Sequence, residues 1–437
     1  MSGSALTYTV APSSRASGRI AVPGDKSISH RAVMLGGIAS GVTRVSGFLP
    51  GEDTLATAQI LRELGVRIER LDETTLEIQG AGLRGLRGAS KPLDCGNAGT
   101  AMRLLTGLLA GQAFASTLIG DASLSKRPMR RVMDPLRLMG ADIRGTEQGT
   151  APLAIAPVPA LNAIHYTCPV ASAQIKSCVL LAGLYAHGAT TVVEPTATRD
   201  YTESMLRALG ADLVVDGLAV TIRPGNTLNA VPVSVPGDFS SAAFFLVAGL
   251  LSRSGELVIE NVGLNPRRTG LLLTLRDMGG DIEILDERLQ AGERVGDLRV
   301  RPSALQAIDV PIERVPDMID EFPAFCIAAA AANGTSTVRG AHELRVKESD
   351  RIGAMAVGLR TLGIEVEEFD DGMAITGGST GGGEIDSRGD HRIAMSFAVA
   401  SLRANGAIRV LDCANVATSF PGFEGLASSV GLDLGVT

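Results

Sequence analysis

The sequence predicts a two-domain α/β protein made of six similar units. Three observations predict it: the chain has 437 residues, a Leu-Arg-x-(Leu/Met)-Gly element recurs along it, and a Val-Pro-Gly-Asp turn occurs twice. A chain of this length exceeds one ordinary core and suits two domains of about 200 residues each. With 45% hydrophobic and 20% charged residues it has the composition of a packed globule rather than a disordered chain.

The recurring element is LRELGVRI at 61–68, LRLMGADI at 136–143, LRALGADL at 206–213, LRDMGGDI at 275–282 and LRTLGIEV at 359–366. A degraded copy, LASSVGLDL, occupies 426–434. Each predicts an amphipathic helix closed by glycine, followed by a strand of alternating apolar residues. The glycines at 65, 140, 210, 279, 363 and 431 are spaced roughly 70 residues apart, a period that signals architecture. Such a unit has room for several strands and two helices, and six units divide as three plus three.

A coarser echo supports that division. VPGDKSISHRAVMLGGIASG at 22–41 resembles VPGDFSSAAFFLVAGLLSRSG at 235–255. Both predict a turn leading into a small-residue apolar helix, but Lys26 and Arg31 have no basic counterpart in the second copy, which has Phe239 and then only small or apolar residues there. The turn is therefore scaffold, and the cations belong to one copy.

Several functions are disfavoured at this level. A net charge of −7 argues against a nucleic-acid surface, although a local basic pocket is compatible with it. MSGSALTYTV has no signal-peptide pattern and no apolar run reaches about 18 residues, so a cytoplasmic protein without a membrane partner is expected. Cys95, Cys168, Cys178, Cys326 and Cys413 are scattered with no CxxC pair, and the five histidines form no HExxH set. Neither a disulfide framework nor a bound metal or cofactor is expected.

The segment GDKS at 24–27 is not a P-loop, because Asp25 separates Gly24 from Lys26 where that motif needs glycine directly before lysine. What it offers is a helix N-terminus, whose N–H groups and dipole favour anions, with Lys26, Ser27 and Arg31 close by. Similar clusters follow. DCGNAGTAMRLLTG at 94–107 is a glycine-rich turn opening a helix, with Asn97, Gly99, Thr100 and Arg103. In DASLSKRPMRRVMDPL, Pro128 assigns Lys126 and Arg127 to the turn before a helix. VASAQIKSC at 170–178 offers Ser172, Gln174 and Lys176, and Tyr201 follows in TATRDYTE. In the second half, RVPDMIDEFPAFCIAAAAA opens an apolar helix with Asp317, Asp320 and Glu321, ELRVKESDR alternates charge, and GDHRIAM starts another helix with His391 and Arg392. Each alone reads equally as solvated surface or as carboxylates favoured by a helix dipole.

Taken together, PGDKSISHRA, GNAGTAMR, SKRPM, SAQIKS, RVKESDR and GDHRIAM closely resemble the 5-enolpyruvylshikimate-3-phosphate synthase family, in family order from about residue 20 to 425. The resemblance implies an inside-out α/β barrel of six βαβαββ units, three per domain, with the active site in the interdomain cleft. It also implies that the N-terminal strand joins the C-terminal domain, which gives domains of 24–238 and of 1–23 with 239–437. The implied reaction moves the carboxyvinyl group of phosphoenolpyruvate onto shikimate 3-phosphate, with these two small molecules as partners, no cofactor, and a monomeric enzyme.

By the same resemblance, shikimate 3-phosphate is held by Lys26, Ser27, Arg31, Ser172, Gln174, Thr198, Tyr201, Asp320 and Lys347. Phosphoenolpyruvate is held by Lys26, Asn97, Gly99, Arg127, Gln174, Lys347, Arg351, His391 and Arg392, in the pocket that glyphosate occupies in the family. Asp320, rather than Asp317, matches the base on the 5-hydroxyl; Glu348 helps deliver a proton, and Lys26 completes the catalytic set. Two positions depart from the common pattern: Thr418 stands where many members have lysine, and Leu104 follows Arg103 where many have proline, near the turn at Gly99. The sister UDP-N-acetylglucosamine enolpyruvyl transferases commonly carry a reactive cysteine in the loop corresponding to GDASLSKRPM, which here has none.

Overall fold

The computed structural model describes residues 6–437, which form a mixed α/β protein. It divides into two compact units, Gly24–Val235 and Pro236–Thr437, the latter including the residues up to Pro23. The division falls before Pro236 rather than after Asp238. The Asp238 N–H donates to Pro23 O at 2.9 Å and the Gly237 N–H to Asn261 O at 2.8 Å, which ties this turn to the second unit. No helix among the described residues is long and apolar enough to cross a membrane.

Among the described residues, α-helices of two kinds alternate. Helices α1 (Lys26–Ile38), α3 (Gly99–Ala110), α5 (Ala173–Gly183), α7 (Phe239–Leu251), α9 (Phe322–Ala330) and α11 (His391–Ala400) are buried along most of their length. Helices α2 (Glu52–Glu63), α4 (Arg130–Leu138), α6 (Tyr201–Ala208), α8 (Gly270–Asp277), α10 (Arg351–Thr361) and α12 (Phe423–Val430) bury only part of their surface. Each unit has its own continuous apolar core, built around α1, α3 and α5 in one and α7, α9 and α11 in the other.

The recurring sequence element is the end of each exposed helix. Gly65 sits at φ +92° and its N–H returns to Arg62 O, while Val66 N–H reaches Leu61 O, closing the helix with left-handed backbone that glycine adopts without cost. The same closure recurs at the other five glycines. The arginine of the element has a second job. Arg62, Arg137, Arg207, Arg276 and Arg360 each donate to the carbonyl six residues on, at Ile68, Ile143, Leu213, Ile282 and Val366, with distances of 2.8 to 3.3 Å. This guanidinium staples the helix end to the strand that follows. The degraded copy has Ser428 in its place.

The sheets repeat as well. Val233–Ser234 runs parallel to Ser40–Ser46, which pairs antiparallel with Leu76–Ala81, itself antiparallel to Arg67–Arg70. One parallel pairing followed by two antiparallel ones recurs in four more sheets, those centred on Ser116–Ile119, Thr190–Val193, Leu257–Gly263 and Ile408–Leu411. In another, Thr335–Val338 keeps the two antiparallel pairings and its parallel partner is reduced to a bridge, Asp309 to Thr337. Tyr8–Val10 lies between Ile408–Leu411 and Leu434–Val436, so the N-terminal strand belongs to the second unit. These small mixed sheets are consistent with repeated βαβαββ units.

The duplicated Val-Pro-Gly-Asp turn has one geometry in both copies. Asp25 (φ −58°, ψ 120°) and Asp238 (φ −68°, ψ 121°) each cap a buried helix, accepting from Ile28 N at 2.8 Å and Ser240 N at 2.9 Å. A Cβ on Gly24 would stand 1.9 Å from Gly47 O, so the turn admits no side chain there.

Candidate active site

Each unit gathers its polar residues at the N-terminal ends of its helices. In the 24–235 unit they form three local groups. The first surrounds α1, where Lys26 is ion-paired with Asp53, an acid buried in the first turn of α2. Arg31, one turn on, donates from Nε to Thr202 Oγ1 at 2.7 Å, from one terminal nitrogen to Ser177 Oγ at 3.0 Å and from the other to Ser27 O at 3.0 Å. Burial pulls the Arg31 pKa down to about 10, against the opposing influence of Glu203 and Asp25, so the group stays cationic at neutral pH while poorly hydrated. Tyr201, at the start of α6, donates its hydroxyl to Asp25 Oδ2 at 3.4 Å.

The second group surrounds the glycine-rich turn. Arg127 lies in extended backbone between a 3-10 turn (Leu124–Lys126) and α4, as Pro128 predicts. It donates to Asn97 Oδ1 at 2.5 Å and to Asn97 O at 3.3 Å, while Asn97 Nδ2 donates to Asp121 at 2.7 Å. Gln174 accepts from Arg103 at 2.7 Å and donates to Thr100 at 3.0 Å. A Cβ on Gly99 would stand 3.1 Å from an Arg127 terminal nitrogen and 3.2 Å from one of Arg103. The residue capping α3 is Ala98, which has no side-chain acceptor for the first-turn N–H groups. Two guanidinium groups and a helix N-terminus therefore meet at one glycine, a setting suited to an anion. The nearest apolar side chain to that Cβ position is Leu124, at 3.6 Å, rather than Leu104, which is buried in the core.

The third group carries Thr198, whose hydroxyl donates to Glu194, and Lys176, which is buried and paired with Glu194 and Glu203. Ser172 caps α5.

In the 236–437 unit the expected residues form one network centred on Arg351, which is 1% exposed. Its Nε donates to Asp390 Oδ2 at 2.8 Å, one terminal nitrogen donates to Glu348 Oε2 at 2.6 Å, and the other lies 3.4 Å from Asp320 Oδ1. Against the desolvation that burial imposes, Asp390, Glu348 and Asp320 hold this guanidinium above its ordinary pKa. Lys347 Nζ is 4.0 Å from Asp320 Oδ1. Loss of hydration lowers the Lys347 pKa, opposed by Asp320 and Glu343 and reinforced by Arg351. Arg392 donates to Asp320 O at 3.2 Å, and its own N–H is capped by Asp390 at 2.9 Å. His391 is buried beside them at the start of α11.

Asp317 and Asp320 are not in one helical turn as the sequence suggests. Two 3-10 turns, Ile312–Asp317 and Ile319–Glu321, precede α9, and Asp317 pairs with Arg267 at 3.4 Å instead. Pro316, which has no N–H to give, stands in the first of these turns. Thr418 lies in a 3-10 turn and donates its hydroxyl to Asn415 O at 2.7 Å.

Three participants had no signal that sequence alone could weigh. Asp390 stands at a predictable cap position in GDHRIAM, but its grip on Arg351 spans 39 residues. Asp53 looks like any acid in a first helical turn. Arg268, 3% exposed, follows another arginine in a turn, yet it reaches Asp238 at 3.0 Å, Ser240 at 2.6 Å and Asp320 at 3.6 Å.

Clusters of arginine and lysine at helix starts, with carboxylates set among them, define an enzyme for small, multiply anionic substrates. The fold is shared with the enolpyruvyl transferase NikO from Streptomyces tendae, whose structure matches with a TM-score of 0.81 over 100% of this chain and 99% of that one, at 18% identity. Closer likenesses refine the class. The family model for EPSP synthase (3-phosphoshikimate 1-carboxyvinyltransferase) matches residues 10–426. The 3-phosphoshikimate 1-carboxyvinyltransferase of Methylococcus capsulatus is 57% identical over 432 residues, 99% of each chain. A structure of EPSP synthase from Acinetobacter baumannii is 47% identical, with a TM-score of 0.89 over 99% of this chain and 100% of that one. The chain belongs to the EPSP synthase family.

Proposed function

We propose that this protein transfers the carboxyvinyl group of phosphoenolpyruvate to the 5-hydroxyl of shikimate 3-phosphate, releasing phosphate. Its family membership supports the activity, and the observation that carries the chemistry is the sharing of one buried guanidinium, Arg351, by Asp320 and Glu348 at 3.4 and 2.6 Å. Two carboxylates are thereby held in fixed relation, as a reaction that needs a base and a proton donor requires.

The acceptor is assigned to Lys26, Ser27, Arg31, Ser172, Gln174, Thr198, Tyr201, Asp320 and Lys347. Phosphoenolpyruvate is assigned to Lys26, Asn97, Gly99, Arg127, Gln174, Lys347, Arg351, His391 and Arg392. Each substrate brings a phosphate and a carboxylate, about five negative charges together, and the lysines and arginines of both sets supply the opposing charge and hydrogen-bond donors. Holding both substrates in reacting geometry replaces a bimolecular step by an intramolecular one. A proton delivered with the help of Glu348 adds to the methylene carbon of phosphoenolpyruvate. The 5-hydroxyl, losing its proton to Asp320, then bonds to the neighbouring carbon and gives a tetrahedral intermediate. Loss of a methyl proton and cleavage of the carbon–oxygen bond to phosphorus release phosphate and restore the double bond. The protein's six repeated units are assigned the family's inside-out barrel architecture, three units to each half.

Incubation of the purified protein with both substrates tests this reading: each phosphoenolpyruvate consumed yields one phosphate and one carboxyvinyl ether. Phosphate release that does not depend on the acceptor would contradict it.

A further inference from the structure

We propose that Lys176 is a positioning residue for the acceptor substrate, fixing the segment that presents Thr198 and Tyr201; this rests on the assignment of shikimate 3-phosphate to those residues. The sequence offers Lys176 as a candidate cation in SAQIKS, and the family resemblance assigns it to neither substrate. The structure commits its charge to the protein. Its Nζ is 2.7 Å from Glu194 Oε2, 2.6 Å from Glu203 Oε1 and 3.4 Å from Thr198 O. The lysine and both acids have side chains no more than 4% exposed.

The three acceptors lie along one segment. Glu194 follows the strand Thr190–Val193, Thr198 lies in the connection, and Glu203 is in the first turn of α6. A single ammonium, with three donors and no acceptor, thus ties the start, middle and end of residues 194–203 to α5. Glu194 passes the constraint on, accepting from the Thr198 hydroxyl and, at 3.4 Å, from its N–H. The next residue on α5 repeats the tie: Ser177 Oγ and Thr202 Oγ1 are 2.7 Å apart, and both accept from Arg31. Thr198, Tyr201 and Arg31 are therefore referenced to the helix that Ser172 caps and whose first turn carries Gln174. A buried ion group contributes little net stability compared with apolar packing of the same volume, whereas it fixes geometry by directed bonds. The arrangement matches the second use.

The test is steady-state kinetics with shikimate 3-phosphate and phosphoenolpyruvate varied separately, on the wild type and on Lys176→Met, Lys176→Arg and the double variant Lys176→Met/Glu203→Gln. In Lys176→Met the KM for shikimate 3-phosphate should rise about tenfold, the equivalent of one displaced hydrogen-bonding group, while the KM for phosphoenolpyruvate stays within about twofold. Lys176→Arg should recover most of that loss. If Lys176→Met does not fold, the double variant, which removes one charge of each sign, carries the same expectation. A fall in kcat with both KM values unchanged, an equal rise in both, or loss of folding in both Met variants marks a scaffold residue and overturns the proposal. Absence of wild-type turnover would instead overturn the assigned reaction, and this role with it.

Discussion

Arg351 and Asp390 form a buried two-point ion pair, Nε to Oδ2 at 2.8 Å and a terminal nitrogen to Oδ1 at 3.4 Å, with 1% and 0% of their side chains exposed. Asp390 also caps α11 through Arg392 N and accepts from Ser349 Oγ at 3.1 Å. One carboxylate thus fixes the guanidinium shared by Asp320 and Glu348. Removing it leaves the buried cation only the more exposed Glu348 and Asp320, and Asp390→Ala should cost about 2–4 kcal/mol of stability, below the full cost of an unpaired buried charge. Urea unfolding measures this, and a loss below about 1 kcal/mol, the worth of an ordinary cap alone, would show that the pair contributes little.

Asp320→Ala should retain the fold and the binding of shikimate 3-phosphate, because Arg351 keeps Asp390 and Glu348 as partners. Its kcat should fall by about 10²–10⁴, the usual contribution of a positioned base. Calorimetry for binding and phosphate release for turnover separate the two effects. Near-full activity would remove Asp320 from its assigned role.

Gly99→Ala places a methyl group 3.1 and 3.2 Å from terminal nitrogens of Arg127 and Arg103. Both are far ends of flexible side chains, so the fold should tolerate the change, with a stability difference under about 1 kcal/mol. The guanidinium groups must shift, and the KM for phosphoenolpyruvate should rise several-fold with little change for the acceptor. Unchanged phosphoenolpyruvate KM would place that substrate elsewhere.

His30 is buried, with Nδ1 2.7 Å from Thr57 Oγ1. Burial first, then Lys26 and Arg31, hold its pKa well below the ordinary 6.5. The unfolded chain takes up a proton near pH 6.5 and the folded chain only at lower pH. The neutral imidazole's contribution is therefore complete above about pH 6.5 and is lost as pH falls toward the folded value, by up to about 1.4 kcal/mol per pH unit. The stability gap between the wild type and His30→Gln should narrow between pH 7.5 and 5. A gap that stays constant over that range would mean His30 does not titrate in this way.

The repeats were legible because each carries a glycine at a fixed place, and each glycine has the positive φ that a helix closure demands. The arginine of the same element stood in plain view, but its carbonyl partner six residues on is backbone, which no residue type announces. The paired Val-Pro-Gly-Asp turns were legible for the same local reason as the glycines. Most partners of the charged residues were not. Arg31 meets Thr202 across 171 positions and Ser177 across 146, and Lys176 meets Glu194 across 18. Such pairings are set by which helices pack together, so the sequence offered Lys176 as a candidate cation with nothing to show that its charge is committed to Glu194 and Glu203. The resemblance separated Asp320 from Asp317, but residue spacing alone did not, and the two stand in successive 3-10 turns rather than in one helical turn.

The most direct test of the central claim is steady-state phosphate release from phosphoenolpyruvate with shikimate 3-phosphate or with UDP-N-acetylglucosamine as the acceptor. Saturable release with shikimate 3-phosphate and none with the UDP-sugar is the predicted result. Release with the UDP-sugar alone would contradict the assignment.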